Sequence, residues 1–179
     1  MSAVEEIVPI VDREDNIVDR VPRRVMRARA LRHRVTYIFV FNSAGEIFVQ
    51  KRTPTKDLYP GYFDLAAGGV VCVGESYEES ASREAEEELG IRDKPLEPHF
   101  KFYFEQDDNK CWGKVFSCIH DGPFVLQAEE VASGEFVDID RIIRGDITPI
   151  TPDTLAVLKR LIDEQSIPLA NSTMTAPSR

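Results

Sequence analysis

No stretch of this chain approaches the roughly 20 uninterrupted apolar residues that a bilayer-spanning helix needs, and the opening MSAVEEIVPIVD is acidic instead of basic-then-apolar. Neither a membrane span nor a secretory signal is expected. Cysteine is scarce. Cys72, Cys111 and Cys118 stand singly with no C-x-x-C pair, and three histidines are too few to complete a tetrahedral zinc site with them. A reduced, cytoplasmic setting is the simplest expectation. Basic residues are in deficit: 22 Lys and Arg against 31 Asp and Glu give a formal charge of -9. That balance argues against nonspecific nucleic-acid binding, which needs a surplus of cations on one face. There is no internal repeat.

What is present suits one sizeable core. With 179 residues and 42% hydrophobic content, the chain reads as a single domain over residues 1–165, followed by a disordered tail over 166–179 (SIPLANSTMTAPSR). Within the domain, a hairpin and an Arg-rich helix fill about residues 1–34, and the core runs over about 35–165. Ile7 to Val11 and Ile17 to Val18 flank a polar turn, and Val21 to Leu31 read as the helix. TYIFVF (Thr36 to Phe41) and EIFVQKR (Glu46 to Arg52) surround Asn42-Ser43-Ala44-Gly45, the most secure hairpin signal in the chain. Phe63 to Ala67 and Val70 to Val71 read as strand pieces interrupted by Gly68-Gly69, a pair that suggests close backbone approach. Further strands are expected at His99 to Glu105, Lys114 to His120 and Glu135 to Val137, then a helix from Thr151-Pro152 to about Glu164. Strands dominate the middle without βαβ alternation, so the fold class expected is α+β, a mixed sheet sandwiched between helices.

Two charge clusters stand out. Arg20, Arg23, Arg24, Arg27, Arg29, Arg32 and Arg34 crowd one segment, either as a solvated face paired with acids or as a surface for phosphate or a partner. Between Ser76 and Gly90, a capping-box Ser76/Glu79 opens a helix and the glycine stops it. Glu84, Glu87 and Glu88 then fall on one stripe at i, i+3 and i+4. Carboxylates so placed repel unless a cation sits among them, and hard oxygen ligands suit Mg²⁺ or Mn²⁺. A Glu-rich helix taken alone is usually a solvated surface.

The surrounding residues change that weighting. Gly69, Glu75, Arg83, Glu84, Glu87, Glu88 and Gly90-Ile91 complete G-x5-E-x7-R-E-U-x-E-E-x-G-U, where U is aliphatic. Seven fixed residues would coincide by chance on the order of 10⁻⁸ times per starting position. The pattern resembles the Nudix box; Ala85 stands where that family more often carries a larger aliphatic residue. The resemblance implies a Nudix fold and a metal-dependent hydrolase acting on a small-molecule diphosphate, a nucleoside diphosphate derivative or another organic diphosphate. It implies Glu84 and Glu88 as principal metal ligands, Glu87 as a further ligand or base, the carbonyl of Gly69 as an occasional ligand, and Glu75 as a support for Arg83. Arg83, one turn before Glu87, can orient it by an ion pair. Glu130 resembles an additional glutamate that many such enzymes use as base or ligand, with Glu129 or a plain surface role as alternatives.

Beyond the box the resemblance leans toward the branch containing isopentenyl-diphosphate isomerase, through His33-Arg34, Gln50-Lys51-Arg52, Lys56 and Pro60-Gly61-Tyr62-Phe63. Two functional positions of that branch are lost: Gly68 stands where its cysteine belongs and Val70 where a metal-binding histidine belongs. The strand around Cys111 to Phe116 also lacks its closely spaced glutamates. Isomerase activity is therefore not expected. Arg52 and Lys56 are candidate phosphate contacts, or surface ion pairs, while Cys72 and His33 read as structural. The alternatives to a hydrolase are a non-catalytic diphosphate sensor of the same fold and a docking protein using Arg20 to Arg34. A homodimer is left open.

Overall fold

A computed structural model describes residues 5–167. Most of the disordered tail expected from the sequence, residues 168–179, lies outside the described residues. Ile167, assigned to the same tail, is instead buried in the main core.

β1 (Ile7–Val11) and β2 (Ile17–Pro22) form an antiparallel hairpin. Its tip residue Asp15, at φ 65°, is buried against Arg34, whose Nε lies 2.8 Å from the carboxylate, and it also accepts from the Tyr77 hydroxyl at 3.0 Å. The helix that follows, α1 (Arg23–Ala28), is shorter than Val21 to Leu31. Val21 and Pro22 belong to β2, and the Arg23 N–H is taken by the Glu6 carbonyl at 2.8 Å.

β3 (His33–Phe41) is the centre of the molecule. Tyr37, Phe39 and Phe41 face one core, while Ile38 and Val40 face the other. A strand covered on both faces reads as a continuous apolar run, as TYIFVF does. The sheet is mixed, in the order β5-β4-β3-β7-β6 with β8 on β4. It comprises β4 (Ile47–Arg52), β5 (Phe63–Asp64), β6 (Glu97–Gln106), β7 (Asn109–Ile119) and β8 (Val131–Val137). On one face, α2 (Tyr77–Leu89) packs Ala81, Ala85 and Leu89 on Ile38, Val40 and Phe116. On the other, α4 (Pro152–Asp163) packs Val157, Leu158 and Leu161 on Phe39, Phe41 and Leu65. Fully burying each of these larger side chains contributes about 1.5–3 kcal/mol. The α+β sandwich expected from the sequence is the fold observed. A short helix, α3 (Ile139–Ile143), opened by Asp138, was not expected.

One departure positions everything that follows. β3 and β4 do form a hairpin, but they pair only at Phe41 and Ile47 and then part. β3 takes β7 as its long partner instead, in parallel register from His33 opposite Cys111 to Phe41 opposite Ile119. The segment after β5 fills the opened edge, with Ala67 bridging Ile38 and Val70 bridging Val35. Where these strands diverge, a cleft enters the sheet.

Candidate active site

The glutamate helix sits over this divergence. Its start is fixed by the reciprocal capping box of Ser76 and Glu79, and its end by Gly90 in the left-handed region at φ 70°. With Ala81, Ala85 and Leu89 set against the sheet, the neighbouring stripe carries Glu84 and Glu88 down beside Gly68 and Gly69. Gly68 has φ +146°, and a Cβ there would lie 1.9 Å from the Thr36 carbonyl oxygen. A Cβ on Gly69 would lie 2.4 Å from Glu84 Oε1. The first glycine is thus required by the backbone of β3 and the second by a carboxylate. The Gly68 N–H donates to Glu88 Oε2 at 3.3 Å, and the Gly69 carbonyl accepts from the Thr36 N–H at 3.0 Å.

Glu88 is buried, and its pKa is pushed up to about 8, first by that burial and then by the charge of Glu84. Glu84 is raised as well, chiefly by burial, with Arg83 opposing. Arg83 gathers the other acids. Its Nε and Nη2 donate to Glu75 at 2.8 and 3.0 Å, and its Nη1 donates to Glu84 at 2.8 Å and Glu87 at 3.2 Å. Burial raises Glu75, but the hydrogen bonds from Arg83 and the Cys72 N–H outweigh it and hold the carboxyl below its usual range. A buried carboxyl beside a second one largely withdrawn from water, both hard oxygen donors, fits a divalent cation, which would let the two ionise together. Glu87 is half exposed and turned to Arg83. Among the described residues no group of three or more His, Cys, Asp or Glu side chains converges as a ready-made metal cage.

Cations ring the adjoining cleft, which is lined by Arg23, Arg27, Arg52 and Lys56 and floored by Ala66 to Gly69. Arg52 is held on three sides, donating to the Leu58 carbonyl at 3.1 and 2.9 Å and to Asp64 at 2.8 Å. Lys56 pairs with Glu130, so those two residues act at one place on the rim. Arg23 pairs with Glu6 at 3.2 Å. The Arg-rich segment therefore divides. Arg23 and Arg27 face the cleft, whereas Arg24 pairs with Glu5, Arg34 with Asp15, and Arg32 donates to the Tyr103 hydroxyl.

Arg27 differs from the rest. Its Nε and Nη1 are buried without a hydrogen-bond partner among the described residues, and the Asp57 carboxylate is 3.7 Å from Nε. Burial, and then the charge of Arg23, lower its pKa. His33 also lines the cleft; its Nδ1 lies 2.9 Å from the Leu31 carbonyl, which makes this nitrogen the donor. Burial, followed by the charge of Arg27, depresses its pKa to about 4, so the ring is neutral. All three cysteines are free, and burial raises their thiols to about 11, 12 and 11 for Cys72, Cys111 and Cys118. None is poised as a nucleophile.

Sequence reasoning missed the inner wall of the cleft, formed in part by Tyr37, Asp64 and Asp153. Asp153 sits in the first turn of α4, where an acid reads as a helix-start signal and nothing marks it for binding.

Comparison with known proteins adds to this geometry. The family model described as NUDIX domain matches residues 31–161. An uncharacterized Nudix hydrolase of Pseudomonas aeruginosa is 45% identical over 159 residues, covering 88% of this chain and 94% of that protein. The uncharacterized Nudix hydrolase YfcD of Escherichia coli (strain K12) is 46% identical over 156 residues, covering 87% and 86%. Among solved structures, DR0079 from Deinococcus radiodurans superposes with a TM-score of 0.74 at 28% identity, covering 87% of this chain and 98% of that one.

Proposed function

The chain belongs to the NUDIX domain family and is a pyrophosphohydrolase of that family; from this premise we propose that it splits the diphosphate of a small organic molecule, a nucleoside diphosphate derivative or another organic diphosphate, by attack of water on phosphorus. The observation that carries the reading is the withdrawal of Glu84 and Glu88 from water against Gly69 and Gly68, whose backbone lines a cleft with Arg23, Arg27, Arg52 and Lys56 on its other side. Two opposed fields meet there. Anionic oxygens on α2 suit a divalent cation, Mg²⁺ or Mn²⁺, and the cations opposite suit the phosphates.

Glu84 and Glu88 would hold the metal, with the Gly69 carbonyl beside them and Glu87 available once it leaves Arg83. When bound, such a cation offsets charge developing on the phosphate oxygens and lowers the pKa of water. Arg83 positions the acids by bridging Glu75, Glu84 and Glu87. Lys56 and Arg52 would orient the diphosphate, and Glu130, which pairs with Lys56, would hold a proton from the attacking water. This activity is assigned to a single domain that includes α1 and runs at least to Ile167, because Arg23 and Arg27 of α1 line the same cleft as Arg52 and Lys56. The isomerase-like branch is the best description of the sequence outside the box, without its chemistry. At Gly68 a Cβ would overlap the Thr36 carbonyl, which leaves no room for a cysteine.

The test is release of phosphate or of nucleotide from nucleoside di- and triphosphates, nucleotide-sugars, dinucleotides and isoprenoid diphosphates, with Mg²⁺, with Mn²⁺ and with chelator. Metal-dependent cleavage of at least one compound, lost in Glu84→Gln, is expected. Tight binding of a compound without cleavage would replace the hydrolase by a diphosphate sensor.

A further inference from the structure

Two side chains with buried polar atoms that lack a hydrogen-bond partner among the described residues line the same cleft, and those atoms are of opposite polarity. Arg27 offers the donors Nε and Nη1, and Asp153 offers the acceptor Oδ1. A buried group left unpaired carries its desolvation cost uncompensated, so native folds keep few of them. A complementary pair in one cavity is suited to a ligand that satisfies both.

Asp153 is held firmly. It follows Pro152 in the first turn of α4, where the excess of helix N–H groups favours a carboxylate. Its Oδ2 accepts from the Tyr37 hydroxyl at 2.8 Å, and Tyr37 is itself buried in β3. The residue is only 8% exposed. With Oδ2 committed to Tyr37, Oδ1 is the oxygen left for the cleft. Arg27 approaches the same cavity from α1; its side chain is only partly buried, but its Nε and Nη1 are withdrawn from water, with the Asp57 carboxylate 3.7 Å from Nε and beyond hydrogen-bond distance.

We propose that Arg27 and Asp153 form a two-point subsite for the organic end of the substrate. Arg27 takes a phosphate oxygen on the organic side of the diphosphate, and Asp153 Oδ1 accepts a hydrogen bond from a hydroxyl on the organic group. The substrate class is therefore a hydroxylated diphosphate ester, of nucleoside or sugar type, in preference to a hydrocarbon diphosphate. A site built to receive a hydroxyl rejects the analogue lacking it far more strongly than an apolar pocket rejects an extra one. The diphosphate end of this assignment rests on the hydrolase reading; the acceptor at Asp153 does not.

The experiment compares a short-chain series of alkyl diphosphates with their ω-hydroxyalkyl counterparts. Binding is measured by calorimetry with Ca²⁺, and turnover separately with Mg²⁺. At the best chain length the wild-type protein is expected to bind the hydroxylated compound about tenfold more tightly or better. Asp153→Asn should cut that ratio severalfold, because the amide oxygen takes the Tyr37 proton and the hydroxyl, having lost its carboxylate acceptor, can only accept a weaker bond from a neutral NH₂. Arg27→Gln should weaken both compounds together and leave the ratio intact. A wild-type ratio near unity at every length overturns the proposal without recourse to any variant, as does absence of binding. A ratio that survives in Asp153→Asn, or unchanged affinity in Arg27→Gln, also overturns it. Hydroxyl preference in binding without Mg²⁺-dependent turnover would leave the subsite standing and remove the hydrolase reading instead.

Discussion

Replacing each of the two adjacent glycines by alanine separates what the site needs from what the fold needs. In Gly68→Ala the new Cβ would stand 1.9 Å from the Thr36 carbonyl oxygen and 2.8 Å from its carbon, both backbone atoms of β3. No side-chain rotation relieves that overlap. The segment must move off β3, at the expense of the bonds from the Thr36 N–H to Gly69 and between Ile38 and Ala67. Each such bond contributes about 0.5–1.5 kcal/mol. The φ of +146° adds about 1–3 kcal/mol of strain for a non-glycine residue. Together these place the loss at about 3–5 kcal/mol, a fall in Tm of roughly 8–15 °C for a chain of this size. Gly61→Ala, at φ +74° with nothing within 4 Å of the new Cβ, isolates strain from overlap and should lose only about 1 kcal/mol. Gly69→Ala meets only the far end of Glu84, a flexible carboxylate, so its Tm should fall by only about 2–4 °C. Its diphosphate hydrolysis should nevertheless drop about tenfold or more, because Glu84 is displaced. Thermal melts followed by circular dichroism, with phosphate release on the same samples, read all three. A Gly68→Ala protein melting within about 3 °C of wild type would refute the packing argument.

The other expectations concern charge. Glu84→Gln and Glu88→Gln should each lower diphosphate hydrolysis at least about tenfold, about 1.4 kcal/mol of transition-state stabilisation, with circular dichroism unchanged. In chelator at neutral pH, Glu88→Gln should also be more stable than wild type by about 1–3 kcal/mol, since Glu88 must take up a proton to be buried beside Glu84 and Gln needs none. Raised from 4.5 to about 8, Glu88 favours the fold most at pH below 4.5 and loses that contribution as pH rises to about 8. The advantage of Gln should therefore grow across that window in urea titrations, and an advantage independent of pH would contradict the assignment. His33 has the opposite sign. Depressed from 6.5 to about 4, it leaves stability intact above pH 6.5, and about 3 kcal/mol is lost as pH falls from 6.5 to 4 because the unfolded chain takes up the proton first. His33→Asn should flatten that limb of the stability profile, and equal slopes in the two proteins would show that the ring is not the group responsible. Arg83→Lys keeps the charge but cannot bridge three glutamates, so it should lose about 1–2 kcal/mol in denaturant melts together with most activity; wild-type stability would show the bridge to be ornamental.

How much of this was legible in the sequence depends on how far apart the interacting residues lie. α2 was read to its ends because its signals are local: a hydroxyl three residues from a glutamate, and a glycine where the chain turns left-handed. The carboxylate stripe was equally local, as was the reach of Arg83 to Glu84 and Glu87. Strand positions came through, because β-branched and aromatic runs mark them. Strand partners did so only where a short turn joins them, as in β1 and β2. The turn at Asn42 to Gly45 indicated a hairpin correctly, yet β3 and β4 share one pair before parting, because the backbone at Gly68 can come close enough to Thr36 for the 67–70 segment to fill the gap. The same limit applies to charges. A sequence displays seven arginines between Arg20 and Arg34 alike, and only the fold gives Arg24, Arg32 and Arg34 hydrogen-bond partners while leaving two nitrogens of Arg27 without a hydrogen bond among the described residues. Lys56 finds its acid 74 residues away, and Tyr37 meets Asp153 across 116. Whether a charge is free to bind a ligand is a statement about what its neighbours fail to satisfy. It therefore becomes visible only after every long-range contact has been made, and at that point Arg27 and Asp153 stand out within one cleft.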